Sequence, residues 1–248
     1  MDEYSEYLMC QGGRRIIRMH WHDLLFMHWP VAPELLKSLI PAPLELDIFE
    51  GDAWIGVVPF RMSRVAPRGI PPDLCGLEFP ELNVRTYVRQ GGVHGVWFFS
   101  LDASSRLAVH FARAWYALPY YHADMTVKLE RNRIRYRSRR LHRNSQPAEL
   151  EMDYEPAGDV FLSRPGTLDS WLTERYCLFS VSRKGMAGWC TVQHKQWPLQ
   201  EAVADIRINT MTEQLGLKLP ECEPVLHFAR ELAVTAGPVR PLNNSPDP

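Results

Sequence analysis

Glu81, Asn83, Arg85 and Tyr87 occupy alternate positions of one stretch, and residues two apart share a face in an extended chain. On a strand, this spacing aligns a carboxyl, an amide, a guanidinium and a phenol. Such a row suits a small organic acid: Arg85 can fork onto a carboxylate, Asn83 adds an amide, and Glu81 can move a proton. Further candidates are Tyr120 and Tyr121, just after Pro119, since a phenol can hydrogen-bond a carbonyl or a developing enolate. Adjacent residues of an extended segment point to opposite sides, so one tyrosine of the pair is expected to join the row. From pattern alone, the row is equally a pocket wall or the solvated face of a sheet.

Other chemistries find less support. His20, His22, Asp23 and His28 place two imidazoles on one strand face, but no third ligand stands at a recognisable spacing and H-E-x-x-H is absent. They read as structural histidines, and no metal is expected. Arg133, Arg135, Arg137 and Arg139 could form a phosphate or nucleic-acid face. However, Glu149, Glu151, Asp153 and Glu155 repeat the alternation with opposite charge, and laid antiparallel the two segments neutralise each other. No nucleic-acid partner is therefore expected. The chain has no G-x-S-x-G elbow, P-loop or dinucleotide fingerprint, and no cofactor is implied.

The elements that must position these residues read as mainly antiparallel β with short helices, an α+β composition. Expected strands cover 24–29, 44–49, 53–62, 82–89, 96–101, 125–130, 133–140, 149–155, 175–182, 187–193 and 201–208, and 226–234 is the last ordered element. Residues 63–80, rich in Pro, Gly and Arg, are expected to form a surface loop. Pro33 opens a helix to Ile40. A longer helix follows, with N-cap candidates from Asp102 to Ser105, Leu107, Phe111 and Trp115 as its apolar stripe, widened by Ala108 and Ala112, and Pro119 as its stop. Residues 1–19 are expected to be flexible, 20–240 a single domain, and 241–248 a disordered tail.

Composition fits a soluble globular chain: 248 residues, 46% hydrophobic, 23% charged, formal net charge −1. That balance offers no long-range attraction to nucleic acid or anionic membrane. There is no apolar run of spanning length and no signal peptide at the acidic start. Five cysteines without C-x-x-C spacing read as free thiols, placing the chain in a cytoplasmic, reducing setting.

Longer motifs add a resemblance. Leu24-Leu-Phe-Met-His-Trp-Pro-Val, Trp54-Ile-Gly-Val-Val-Pro-Phe-Arg-Met, Phe79-Pro-Glu-Leu-Asn-Val-Arg-Thr-Tyr-Val, Gly95-Val-Trp-Phe-Phe-Ser-Leu-Asp and Leu172-Thr-Glu-Arg-Tyr-Cys-Leu occur in order. With these motifs the chain is identified as a member of the YqjF-like family of uncharacterised bacterial proteins, itself similar to acetoacetate decarboxylase. The resemblance implies an antiparallel β-barrel or double β-cone with peripheral helices and a buried small-molecule pocket, and it moves the polar row toward the pocket wall. The corner Tyr116-Ala-Leu-Pro-Tyr-Tyr resembles the decarboxylase's Pro-Lys-Lys corner, but tyrosines stand where the Schiff-base lysine and its neighbour would be. Tyrosine forms no imine, so that mechanism does not carry over. His22 corresponds loosely to an active-site arginine of the decarboxylase, and Trp54 and Trp97 would add aromatic walls.

Two functions follow as expectations. One is a lyase or isomerase acting on a small keto or organic acid without a Schiff base, with Glu81, Tyr120 and Tyr121 catalytic and Arg85, Asn83, His22, Trp54 and Trp97 binding substrate. The other is a non-catalytic binder of a hydrophobic or organic-acid ligand. The resemblance also makes a homo-oligomer an expectation.

Overall fold

The computed structural model describes residues 15–242, apart from Arg183. Most of the expected flexible start and of the expected tail lies outside these residues. A 13-stranded, mostly antiparallel sheet dominates, decorated by short helices. The alternating sequence explains this, because apolar side chains every second residue give each strand a core face.

Strand β1 (Ile17–Val31) starts well before the expected Leu24 and pairs antiparallel with β3 (Ala53–Pro67) and β12 (Val225–Ala236). Its continuous apolar run is buried on both faces: Leu24 and Phe26 enter one core, Leu25 and Met27 another. Helix α1 (Pro33–Lys37) stops short of Ile40, and the expected strand 44–49 shrinks to β2 (Glu45–Leu46). Half of the expected loop 63–80 is ordered sheet. The segment comprises the end of β3, one turn of helix α2 (Pro72–Cys75) and the start of β4 (Leu77–Gln90). Cross-strand pairing of β3 with β4, down to Val65 opposite Leu77, overrides the local Pro and Gly signals.

Beyond β4 come β5 (Val93–Ala103), helix α3 (Arg106–Trp115) and β6 (Tyr120–Glu130). Ser105 caps α3, its hydroxyl accepting from the Ala108 amide at 3.2 Å. Strands β7 (Arg133–Arg140) and β8 (Glu149–Phe161) pair as the charge alternation requires, Arg135 opposite Asp153 and Arg137 opposite Glu151. Helix α4 (Leu168–Thr173), hairpin β9 (Cys177–Val181) and β10 (Ala187–His194), β11 (Leu199–Asn209), a 3-10 turn at Glu213–Leu215, β12 and β13 (Arg240–Pro241) complete the chain. Pro241, expected in the tail, pairs with Gly188.

Hydrogen-bonded neighbours run β5–β6–β7–β8–β11–β12–β1–β3–β4, and the β4–β5 ladder returns the order to its start. A second path crosses from β5 through β9 and β10 to β12. On β4, Leu82 and Val84 pack with Ile134, Tyr136 and Met152 in one core. Its other face, carrying Glu81, Asn83 and Arg85, turns into a cavity.

Candidate functional site

That cavity has a volume of about 680 Å³ and is walled by β1, β3, β4, β5, β9 and β10, with α3 beside it. Its lining is overwhelmingly apolar, and its acidic and basic groups fall at two levels fixed by strand register. Four residues of strand, at about 3.3 Å each, separate the Cα atoms of Glu81 and Arg85 by roughly 13 Å. Glu81 is paired with Ala103, just before α3, and with Phe60 of β3. Arg85 is paired with Phe98 and Gly56, further from the helix.

At the level near α3, Glu81 is 1% exposed and accepts a hydrogen bond from the Tyr120 hydroxyl at 2.8 Å. Burial pushes its carboxyl up to about 8; the Tyr120 bond opposes this and nearby Asp102 adds to it. Tyr120 is itself raised well above the usual phenol range, by burial first and then by Glu81. At neutral pH the pair is therefore a carboxylic acid and a phenol, with no net charge.

The inner level is cationic. Arg85, 9% exposed, donates through Nη2 to the Leu172 carbonyl and the Tyr87 hydroxyl, both at 3.3 Å, and its guanidinium lies 5.0 Å over the Phe26 ring. Its Nε has no acceptor, and among the described residues no carboxylate pairs with it. Arg175 also lines the cavity, but its charge is balanced by Asp47 at 2.9 Å. Although burial would raise the Asp47 carboxyl, His94 and Arg175 outweigh it and hold it below the usual range. His194 is neutral: burial lowers it to about 4, and Nδ1 donates to the Lys195 carbonyl at 2.7 Å. The inner level thus keeps one uncompensated positive charge. Asn83 lines the wall between the two levels, and its Oδ1 is also unpartnered.

Several of these positions depend on residues that carry no chemistry. The Tyr87 hydroxyl spends its one hydrogen on the Leu172 carbonyl at 2.6 Å, so it accepts from Arg85 and from His28 Nε2 at 2.7 Å. Gly56, opposite Arg85, leaves room for both: a Cβ there would come within 2.9 Å of the His28 ring and 3.3 Å of Arg85 Cγ. Arg175, His194 and Trp197 were not legible as lining, because they come from β10 and irregular chain far from the motif.

Of the residues expected at the site, Glu81, Asn83, Arg85 and Tyr120 meet in this cavity. The others lie elsewhere. Tyr121 points to the opposite side of β6, its ring 4.1 Å from the Arg140 guanidinium, which forms a buried pair with Asp102 at 2.6 Å. His22 hydrogen-bonds Ser63 at 2.7 Å outside the lining. Trp54 packs with Tyr87 and Leu172 behind the inner level. Trp97 faces away from the cavity toward Val88 and Phe179, while its neighbours Val96 and Phe98 line it.

Two chemical alternatives can be weighed on this geometry. All five lysines, Lys37, Lys128, Lys184, Lys195 and Lys218, are exposed and none lines the cavity, so among the described residues no primary amine is placed to form an imine there. Glu231 of β12 supplies the third donor that the histidine spacing lacked: His20, His22 and Glu231 hold ligand-capable atoms within 4.8 Å of one another. That triplet lies outside the cavity lining, and its donors are engaged, His20 with Glu231 at 2.9 Å and His22 with Ser63.

Residues 18–233 match the model of DUF2071, described as an uncharacterized conserved protein. The chain belongs to this family. It is 42% identical over 228 residues to the uncharacterized protein YqjF of Bacillus subtilis (strain 168), covering 92% of this chain and 93% of that one. Among solved structures, it is similar to the enduracididine biosynthesis enzyme MppR complexed with pyruvate, with TM-score 0.63, 10% identity and coverage of 92% of this chain and 91% of that one. An acetoacetate decarboxylase from Legionella pneumophila subsp. pneumophila str. Philadelphia 1 superposes with TM-score 0.59, 14% identity and coverage of 92% and 87%. An acetoacetate decarboxylase-like enzyme from Sphingomonas wittichii RW1 gives 0.61, 13%, 93% and 94%. The fold is therefore that of the acetoacetate decarboxylase-like proteins. No helix among the described residues is long and apolar enough to cross a membrane.

Proposed function

We propose that this chain binds a carbonyl-bearing organic acid in the β1–β3–β4–β5 cavity and transfers a proton on it in lyase- or isomerase-type chemistry, without an imine. The observation that carries this reading is Arg85, a buried guanidinium lining an apolar cavity with no carboxylate partner among the described residues. Leaving a charge unpaired indoors costs several kcal/mol, and an anionic ligand offsets that cost. The similar MppR structure holding pyruvate supports the same class of ligand.

Glu81 is the proton carrier in this reading. Its ionised form takes a proton from a carbon next to the substrate carbonyl, and the electron pair moves onto the carbonyl oxygen. Once protonated, Glu81 no longer needs the Tyr120 hydrogen bond, and Tyr120 can donate to the developing enolate oxygen. Returning the proton to another carbon completes an isomerisation. With its carboxyl near 8, Glu81 supplies both forms in a physiological range.

The second reading, a binder without chemistry, rests on one contact: Tyr120 and Glu81 already satisfy each other at 2.8 Å. A thermal-shift screen of keto, hydroxy and aromatic acids, followed by NMR of each hit in deuterated water, separates the two. Proton transfer gives exchange at a carbon-bound hydrogen that disappears in Glu81→Gln. Hits that bind without exchange or turnover make the protein a binder. A panel without any hit removes both readings.

A further inference from the structure

The cavity is much larger than a pyruvate-sized acid needs. At about 30 Å³ per water, 680 Å³ would hold roughly twenty waters, whereas a very small keto acid displaces only a handful. Ligand pockets of about 300–1,000 Å³ enclose drug-sized molecules.

Register shows how this space is arranged. Arg85 marks the inner level and Glu81 lies roughly 13 Å away along β4, toward α3. On β3 and β1 the same direction leads from Gly56 through Phe60 to Met62, and on to Trp21 and Ile17. The outermost lining residues are apolar yet open to solvent: Ile70 is 43% exposed, Leu107 52%, Phe111 43% and Trp115 65%. Helix α3 turns its whole apolar stripe onto this rim, and only Val109 among its residues is buried. Stripes of this kind normally cover a core; this one borders an apolar cavity leading to a single unpaired cation.

We infer that the ligand is an elongated amphiphilic monocarboxylate, with its carboxylate on Arg85, its apolar body running past Asn83 and the Glu81–Tyr120 pair, and its tail leaving between Ile70 and the Leu107–Phe111–Trp115 face of α3. The inference rests on the proposed role of Arg85 as carboxylate anchor. It adds length: a ligand that touches both polar levels must span much of the distance between them. Proton chemistry at Glu81 then falls on a carbon well removed from the carboxylate. The charge pattern accords with a mono-anion, because Asp47 neutralises Arg175 and leaves Arg85 alone uncompensated.

The test is a titration of the full chain with straight-chain carboxylates from acetate to palmitate, the matching primary alcohols, and pyruvate, followed by tryptophan fluorescence and isothermal calorimetry. Affinity is expected to rise about four-fold per added methylene until the cavity is full. The alcohols are expected to bind more weakly than the acids, and Arg85→Met to abolish that preference. Phe111→Asp, an exposed change that leaves the fold intact, is expected to weaken only the longer acids. Pyruvate and acetate binding as tightly as the long acids would overturn the inference while leaving Arg85 as the anchor. Alcohols and acids binding alike, or no acid of any length binding, would overturn both the inference and the anchor beneath it.

Discussion

Glu81 is a carboxylic acid whose environment favours the neutral form, and this sets a testable pH signature. Its folded value of about 8 lies above the ordinary carboxyl value of 4.5, so the folded state holds the proton more tightly than the unfolded chain. The stability this contributes is fully present below about 4.5 and is lost as pH rises to about 8, with a slope of up to about 1.4 kcal/mol per pH unit. Glu81→Gln, which cannot ionise, is expected to lose that slope in urea melts between these pH values and to exceed the parent in stability above pH 8. Identical slopes would mean that Glu81 is ionised in its pocket. Tyr120→Phe removes the hydrogen bond that favours the carboxylate, so the Glu81 carboxyl is expected to titrate higher still by carboxyl NMR. Tyr121→Phe is expected to leave that titration unmoved, since Tyr121 sits on Arg140 across the strand. Gly56→Ala tests the least conspicuous position. Its Cβ would press on His28 and Arg85, so acid affinity is expected to fall at least ten-fold, about 1.4 kcal/mol, and the alcohol control to change little.

At the scale of elements, the sequence carried most of the sheet and the inner face of β4, because strict alternation admits one reading of which side chains share a side. It carried the β7–β8 ladder for the same reason, through opposite charges at matching positions. What it could not carry is what lies opposite each face. The Leu107–Phe111–Trp115 stripe looks like a core face in one dimension and is a cavity rim in three. Residues 63–80 look like a loop because the turn residues are local and the ladder that overrides them comes from a distant strand. Of the cap candidates from Asp102 to Ser105, Ser105 takes the cap, while Asp102 lies in β5, held by both Nε and Nη2 of Arg140 from β7. That pair is 1% exposed on either side, so Arg140→Met leaves a carboxyl buried without its partner. The expected cost is about 3–5 kcal/mol in chemical denaturation, with part of it recovered in the Asp102→Asn/Arg140→Met double variant. Equal losses in the single and double variants would show that packing of the Arg140 stem, not its charge, is what matters.

The whole molecule joins two kinds of interior in one sheet. Between β4 and the β7–β8 pair the space is filled by Leu82, Val84, Tyr136 and Met152, each essentially inaccessible to solvent. Across the same strand the interior is open and contains an uncompensated cation. A sheet whose order returns to its start can tolerate such a space, because the strands around it are held by their ladders rather than by what lies between them. Among the described residues Arg85 makes only two neutral hydrogen bonds of 3.3 Å, which repay little of the desolvation of a guanidinium. If its purpose is a ligand, the free protein is less stable than it could be, and Arg85→Met is expected to raise stability by roughly 1–3 kcal/mol in the absence of ligand. The same variant is expected to lose the ligand-linked gain of the parent, about 2.7 kcal/mol at a free acid concentration one hundred times its Kd. Calorimetric melts of both proteins, with and without acid, read the two effects together. A less stable Arg85→Met protein would assign the guanidinium to anchoring the Leu172 carbonyl at the end of α4, and the cavity would then need another reason to be cationic.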